Sequence, residues 1–507
     1  MVFVSPNPWS RGAARAAVRA AGPIALCAAL TACSVGPRYV KPAPPAVHAY
    51  TSAPVPETLA APEAGASGGQ QLAYGESVEP DWWTRFGSDA LDHLETQALA
   101  RNAGLQAARH TLLQTRYELE AAEGIFYPQV ALDAGAERER SSGATSGGSA
   151  KPSAFNLYTG ELTVTWYPDA FGLNRMVAQN AQAQVDVAHE ELRAAQLAIE
   201  GNVANAVIEL AALSEQIDAT EKSIADEEAI LALVRNQYAA GAVSELQVAT
   251  QENQLATTQA QLPAQQLARD RTRHLLASYV GAFPAQLGRT GLPHLAALHL
   301  PERLPVSVPA RLVRQRPDVR AAEAQLRAAN AQVDEAVARL YPNVQLSAAL
   351  GLQGNRGSGL FDPESLIWSL AAAAAAPIFE GGTLRAQEHA AEEAYQAMFA
   401  DYRGAVLTAF RDVASALRAV ERDATALQAR TRALHAARSA FTLARSQYEA
   451  GAVDYLNLLT SEVLYQNARS TAIGAEAQRY ADTVGLYVAL GGGVVDAAPG
   501  RVAGQEN

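Results

Sequence analysis

From Val185 onward, apolar residues return at steps of three and four: Val185, Ala188, Leu192, Ala195, Ile199, Val203, Ala206, Leu210, Leu213, Ile217, Ile224, Leu231, Val234 and Tyr238. Thr220 and Glu227 are the gaps in this stripe. A stripe so spaced and so sustained predicts one long helix. No proline interrupts the chain between Pro168 and Pro263, or between Pro377 and Pro499. Helical pattern of such length without internal caps points to a coiled coil or a helical repeat. Gly172 to Gly241 spans 69 residues, and so does Gly382 to Gly451. At the helical rise of 1.5 Å per residue, each rod is roughly 100 Å long.

Other segments alternate with period two, the signature of strands. Val130, Leu132 and Ala134 alternate with Gln129, Asp133 and Gly135. Leu162, Val164 and Trp166 alternate with Glu161, Thr163 and Thr165. After Pro342, Val344, Leu346, Ala348, Leu350 and Leu352 take the even positions. The fourth segment, Leu366 to Ile378, is rich in alanine, which favours helix. It reads as a strand because its counterpart at 162–166 does. Gly/Ser-rich loops, Ser141 to Ser149 and Gly354 to Gly359, join the pairs. Tyr127, Trp166, Tyr167, Tyr341 and Trp368 stand at segment ends, like the aromatic belts of outer-membrane barrels. Segments of about 10 to 13 residues suit a tilted membrane strand. No apolar run reaches the length of a membrane helix, so any crossing falls to these strands. Four strands cannot close a barrel, and an open edge in lipid leaves backbone groups unpaired. The chain is therefore expected to pool strands with copies of itself.

The chain also repeats itself. Arg235-Asn-Gln-Tyr238-Ala-Ala-Gly241-Ala242-Val243 returns as Arg445-Ser-Gln-Tyr448-Glu-Ala-Gly451-Ala452-Val453, offset by 210. Leu246, Thr250 and Glu252 recur as Leu456, Thr460 and Glu462. Tyr127-Pro128 returns as Tyr341-Pro342, offset by 214, and Gly172 to Arg175 pairs with Gly382 to Arg385. Two copies are too few for a solenoid, so this is a duplicated strand-strand-long-helix unit. In each copy a helical stretch leads to the Tyr-Pro, from about Ser88 to Phe126 and from about Val308 to Leu340. Two strands and a long helix follow, and a glycine turn sends a second helix back. The expected division is a signal segment at 1–32, a linker and equatorial segment at 33–80, repeat 1 at 81–300, repeat 2 at 301–493 and a tail at 494–507.

The amino terminus carries Arg11, Arg15 and Arg19, then a short apolar stretch ending in Leu30-Thr31-Ala32-Cys33. This reads as a secretory signal peptide, with a resemblance to the bacterial lipobox. Cleavage before Cys33 and a covalent lipid on Cys33 follow from that resemblance. Ser34, rather than an aspartate, favours the outer membrane. A doubly signalled lipid anchor holds stably. Cys27 lies in the segment removed, so no disulfide framework is available. The chain carries −12, and losing the three signal arginines takes it to −15. That charge argues against nucleic acid as a partner.

Together these residues resemble a known family. The lipobox, Asp81-Trp82-Trp83-Thr84-Arg85-Phe86, the paired Tyr-Pro strand starts, Pro377 to Gly382, and the paired Gln-Tyr-x-Ala-Gly-Ala-Val turns are similar to those of the outer membrane factors, TolC-like channels. The NodT-type efflux lipoproteins are the nearer likeness, over roughly residues 34 to 493. The resemblance implies a fold that is mostly α with a membrane β-barrel: a homotrimer with twelve strands in one barrel and twelve helices in a periplasmic α-barrel. Residues 281–310, the segment before Trp82 and the stretch after about Ser470 would form an equatorial belt.

It also implies partners: a periplasmic adaptor, and an inner-membrane pump, commonly of the resistance-nodulation-division class. The adaptor-docking tips would be Tyr238, Gly241, Ala242, Val243 and Ser244, with Tyr448, Gly451, Ala452, Val453 and Asp454. Relatives narrow the closed tip with aspartates just after the second turn. Here Asn457 and Thr460 stand in those places, with Gln247 in the first copy, so Glu245 and Asp454 are the nearby acids that complete the candidate gate. Pro168 departs from the family's usual strand-to-helix join and removes a backbone donor there.

The histidines are scattered, and no HExxH, CxxC or phosphate-binding glycine loop is present. Neither enzymatic chemistry nor a metal or other cofactor is expected beyond the lipid on Cys33. The acids from Glu215 to Glu228 read as a solvated helix face, with a cation-selective lumen as the other reading. Three functions fit the pattern. An exit duct of a tripartite efflux system passing small molecules is favoured. The outer-membrane component of a type I protein secretion system shares the architecture but commonly lacks the lipobox. A lipid-anchored periplasmic coiled-coil spacer would not need the alternating strands.

Overall fold

The computed structural model describes residues 37, 39–60, 69–141, 153–287 and 294–493. Cys33, the signal segment, the tail at 494–507 and most of the loop from Ser141 to Ser149 lie outside the described residues. The described chain is mostly helical. In order it runs β1 (Thr58–Ala60), β2 (Gly69–Tyr74), α1 (Asp89–Arg101), α2 (Ala103–Glu123), β3 (Gln129–Ser141), β4 (Ser153–Trp166), α3 (Leu173–Ala239) and α4 (Glu245–Tyr279). Then come β5 (Arg303–Val306), α5 (Pro309–Gln315), α6 (Pro317–Ala338), β6 (Asn343–Gly354), β7 (Leu366–Ala375), α7 (Thr383–Glu449) and α8 (Tyr455–Ala489). The long helices α3 and α7 have 67 residues each, and the return helices α4 and α8 have 35 each. The duplication thus extends to element length.

The chain forms two compact units, and the divisions cut across both sequence repeats inside α2, α3, α6 and α7. One unit comprises residues 1–41, 112–188 and 322–402. It contains a four-stranded antiparallel sheet in the order β3-β4-β6-β7. The alanine-rich segment is a strand after all, ending at Ala375. Because side chains alternate across a strand, register sorts the faces. Leu132 pairs with Leu162, Leu162 with Leu350, and Leu350 with Trp368. The next row is Val130, Val164, Ala348 and Leu370. This face is apolar yet largely exposed within the chain: Leu132 is 78% and Trp368 75% accessible. The opposite face carries Asp133 beside Glu161, and Ala131, Thr163, Ala349 and Ser369 in one row. Among the described residues β3 and β7 each pair on one side only, so the sheet has two open edges.

At the end of β4, Pro168 does not block the turn into α3. Asp169 spans the join: its Oδ1 accepts from Asn174 N at 3.0 Å and its Oδ2 from Arg175 N at 3.2 Å. Those are orphan donors of a helix start, where an acidic acceptor is favoured.

The other unit comprises 42–111, 189–321 and 403–507. Its small sheet has the order β1-β2-β5, with β2 and β5 parallel. Arg479 of α8 is fully buried against it, donating to Gln70 Oε1 at 3.2 Å and to the Leu59 carbonyl at 3.1 Å. Trp82 is buried with its ring stacked on Tyr487, centroids 5.2 Å apart, and donates to Glu200 Oε2 at 3.2 Å. Burial raises the Glu200 carboxyl to about 7, against the Trp82 hydrogen bond. Buried Glu95 is pushed up to about 10, first by burial and then by the Glu200 charge.

Pro263 lies inside α4. Two expectations change here. An 18-residue stretch of α3 is long and apolar enough to cross a membrane, contrary to the reading of the sequence, but 56% of it is buried in the chain, as a core helix is. Glu227 is not on a solvated face: it is 0% exposed.

Candidate docking site at the helix tips

The turns after α3 and α7 have the same construction. Gly241 and Gly451 both sit at φ +72°, a left-handed conformation that side-chain-bearing residues adopt only with strain. Gly241 N donates to the Tyr238 carbonyl at 2.9 Å, and Ala242 N to the Gln237 carbonyl at 2.9 Å. Gly451 N donates to Tyr448 O at 3.0 Å, and Ala452 N to Gln447 O at 2.8 Å. This 5→2 and 6→1 pair is the Schellman end, made twice by the recurring residues.

Gly241, Ala242, Ser244, Gly451, Ala452 and Asp454 are exposed, while Val243 and Val453 are half-buried. The two valines pack against one apolar cluster of Ile230, Val234, Phe441, Tyr448, Tyr455 and Leu458. That cluster joins both tips. Their tyrosines are not equivalent: Tyr448 is buried and donates to Gln237 Oε1 at 2.6 Å, whereas Tyr238 is 47% exposed. The apolar stripe thus ends before Tyr238.

The candidate gate residues divide as well. Asp454 caps α8, its Oδ1 accepting from Asn457 N at 2.9 Å and Asn457 Nδ2 at 2.7 Å. Ser244, at the same place in the first copy, makes no side-chain cap. Glu245, Asn457 and Thr460 are exposed, and Gln247 is half-buried with its carbonyl oxygen unpartnered among the described residues.

Behind the tips lies a polar network that the sequence reading missed. Glu227 Oε1 accepts from Thr258 Oγ1 at 2.8 Å, Gln254 Nε2 at 3.2 Å and Gln466 Nε2 at 2.6 Å. Tyr455 donates to Gln251 Oε1 at 2.7 Å. Glu462 is 1% exposed, and its carboxyl is pushed up to about 8, chiefly by burial and then by the charges of Glu227 and Asp226. The signal was the stripe itself: Glu227 occupies a gap in it, and a gap in a buried face is a buried polar residue.

No cluster of three or more histidine, cysteine or acidic side chains suited to a metal occurs among the described residues. The tips offer surface and shape rather than bond-making groups.

Comparison with known proteins agrees with this geometry. The family model for outer membrane efflux proteins matches residues 94–282 and 308–492. The pyoverdine export outer membrane protein OpmQ of Pseudomonas aeruginosa is 31% identical over 450 residues, 87% of this chain and 93% of its own. Nodulation protein T of Rhizobium leguminosarum bv. viciae is 27% identical, over 92% of this chain and 91% of its own. The solved outer-membrane channel OprN superposes with a TM-score of 0.80 at 27% identity, covering 91% of this chain and 99% of that one. The chain belongs to the outer membrane efflux protein family, and is a channel protein of the Gram-negative outer membrane rather than an enzyme.

Proposed function

We propose that this protein is the outer-membrane exit duct of a tripartite efflux system. It passes small molecules passively from a periplasmic adaptor and an inner-membrane pump, one of the resistance-nodulation-division class, to the exterior. The observation that carries this reading is the four-stranded sheet, with one apolar exposed face, one polar face and two open edges. In lipid those edges demand partners. Three chains supply twelve strands, enough for one barrel, and their twelve helices form the periplasmic conduit. Cys33 anchors the assembled protein by its lipid. Residues 33–80 serve as linker and equatorial segment, 81–300 and 301–493 are the duplicated halves, and 494–507 is a tail. The export role in the name of the OpmQ relative favours efflux over protein secretion.

Each trimer presents six tips to a ring of adaptor hairpins. Gly241 to Ser244 and Gly451 to Asp454 form the contact, and Glu245, Gln247, Asp454, Asn457 and Thr460 line the constriction. A helix needs only a stop, so recurrence of the flanking residues supports docking. The test is Ala242→Glu with Ala452→Glu, both at exposed positions. The double variant is expected to assemble and reach the outer membrane, yet lose adaptor cross-linking and export. Wild-type cross-linking and export in that variant would overturn the docking assignment.

A further inference from the structure

We propose that Glu462, buried behind the tips with Glu227 close by, is a proton-binding carboxyl that holds α8 against α3 while the proton is bound, and releases it when the proton leaves. The two carboxyls are 1% and 0% exposed, on α8 and α3. Gln466, one turn beyond Glu462, donates to Glu227 Oε1 at 2.6 Å and fixes the two helices at this level. That oxygen also takes the Gln254 and Thr258 donors from α4. Glu227 Oε2 and both oxygens of Glu462 are buried without a hydrogen bond of good geometry among the described residues, and Gln251 stands near enough to Glu462 to offset part of the cost of its charge. Two carboxylates so placed cannot both ionise without large cost.

The internal repeat shows what the second tip has lost. In the first, Arg235 pairs with Glu252 at 2.7 Å in the open. The same positions in the second copy are Arg445 and Glu462. Arg445 instead reaches Asp226 Oδ1 at 3.5 Å and Glu449 Oε1 at 3.3 Å. The orphaned acid is buried beside another acid. The charged groups that act on Glu462 are Glu227 and Asp226 from α3 and Arg445 from α7, and Tyr455 from α8 faces both Glu462 and Glu227. From α4, Gln251, Gln254 and Thr258 face them, all neutral.

The sign follows from burial. A carboxyl raised to about 8 stabilises the packed arrangement while protonated, and that contribution is lost as pH rises through about 8. Ionised Glu462 then repels Glu227 and draws Arg445 from Asp226, forming the ion pair that the first tip keeps. No bond is made or broken except that of the proton, which passes to solvent.

The consequence for conductance rests on the duct reading, whereas the proton does not. Infrared titration of the full-length protein from about pH 6 to about pH 9, in a Glu200→Gln background that removes the loss near pH 7, should show a protonated-carboxyl band lost near pH 8. Glu462→Gln should lack that band. Glu227→Gln should shift its midpoint down by about one pH unit, since it removes a like charge. In planar bilayers, wild-type openings should become more frequent above about pH 8, and Glu462→Gln should stay closed throughout. Glu252→Gln, on the first tip, should titrate and open like wild type. A band that persists in Glu462→Gln, or a midpoint unmoved in Glu227→Gln, overturns the pair. Wild-type conductance equal at every pH overturns the latch and leaves the duct standing. No conductance at any pH overturns the duct, and the infrared titration then decides the proton pair alone.

Discussion

Replacing Tyr455 by phenylalanine isolates one hydrogen bond in the packing behind the tips. The hydroxyl donates to Gln251 Oε1 at 2.7 Å, and the two residues are 6% and 0% exposed. The ring, edge-on to Tyr448 with centroids 6.3 Å apart, keeps its contacts. The loss is the net bond and the cost of a buried carbonyl oxygen left bare, together about 1–3 kcal/mol. Local opening at the start of α8 and α4 becomes easier by that amount. At about 1.4 kcal/mol per tenfold, amide exchange there should accelerate by about 5- to 150-fold. Hydrogen-exchange mass spectrometry on peptides covering 237–262 and 447–472 reads this, with peptides from β3 and β4 as internal controls. Tyr238→Phe, at the exposed counterpart, should change exchange by no more than about twofold, as ordinary surface substitutions do. An effect of Tyr455→Phe no larger than that of Tyr238→Phe would refute the reasoning, as would acceleration spread evenly over the strands.

Gly201→Ala places a methyl group 2.8 Å from Val488 Cγ2. Val488 is stiff at χ1, so overpacking costs about 1–3 kcal/mol against about 1 kcal/mol gained in helix propensity. The thermal midpoint should fall, and adding Val488→Ala should restore part of it; a rise in the single variant would contradict the close approach. Glu200, raised to about 7, holds a proton in the folded state that the unfolded chain releases. Resistance to urea should therefore decline as pH rises from about 4.5 to about 7, and Glu200→Gln should flatten that decline. Cys33→Ala should abolish labelling by radioactive palmitate, and unchanged labelling would remove the lipid anchor from the account.

The long helices were legible because their stripe repeats for so many turns that few alternatives survive. The strands were legible from alternation, and β7 from its partner in the other copy, since its alanines by themselves favour helix. The entering helices, read as single stretches, break at Asn102 into α1 and α2 and at Arg316 into α5 and α6; the signals were there, an asparagine whose Oδ1 accepts from Leu105 N at 3.1 Å and a proline at the first position of α6. The β1-β2-β5 sheet was not legible as a sheet. Its strands have three, six and four residues, and the parallel pair joins Gln71 to Arg303 across the whole of the first repeat. Tertiary packing, not local pattern, makes such strands. The tip turns were found by recurrence, but Glu227 and Glu462 were not found, because charge pattern alone does not distinguish a solvated acid from a buried one.

The most direct test of the shared barrel is the mass of the intact particle. Native mass spectrometry of the full-length protein released from mild detergent should give three chains per particle, with strand circular dichroism retained. A stable monomer that keeps its strand signal would contradict the account, because its open edges would then need no partners.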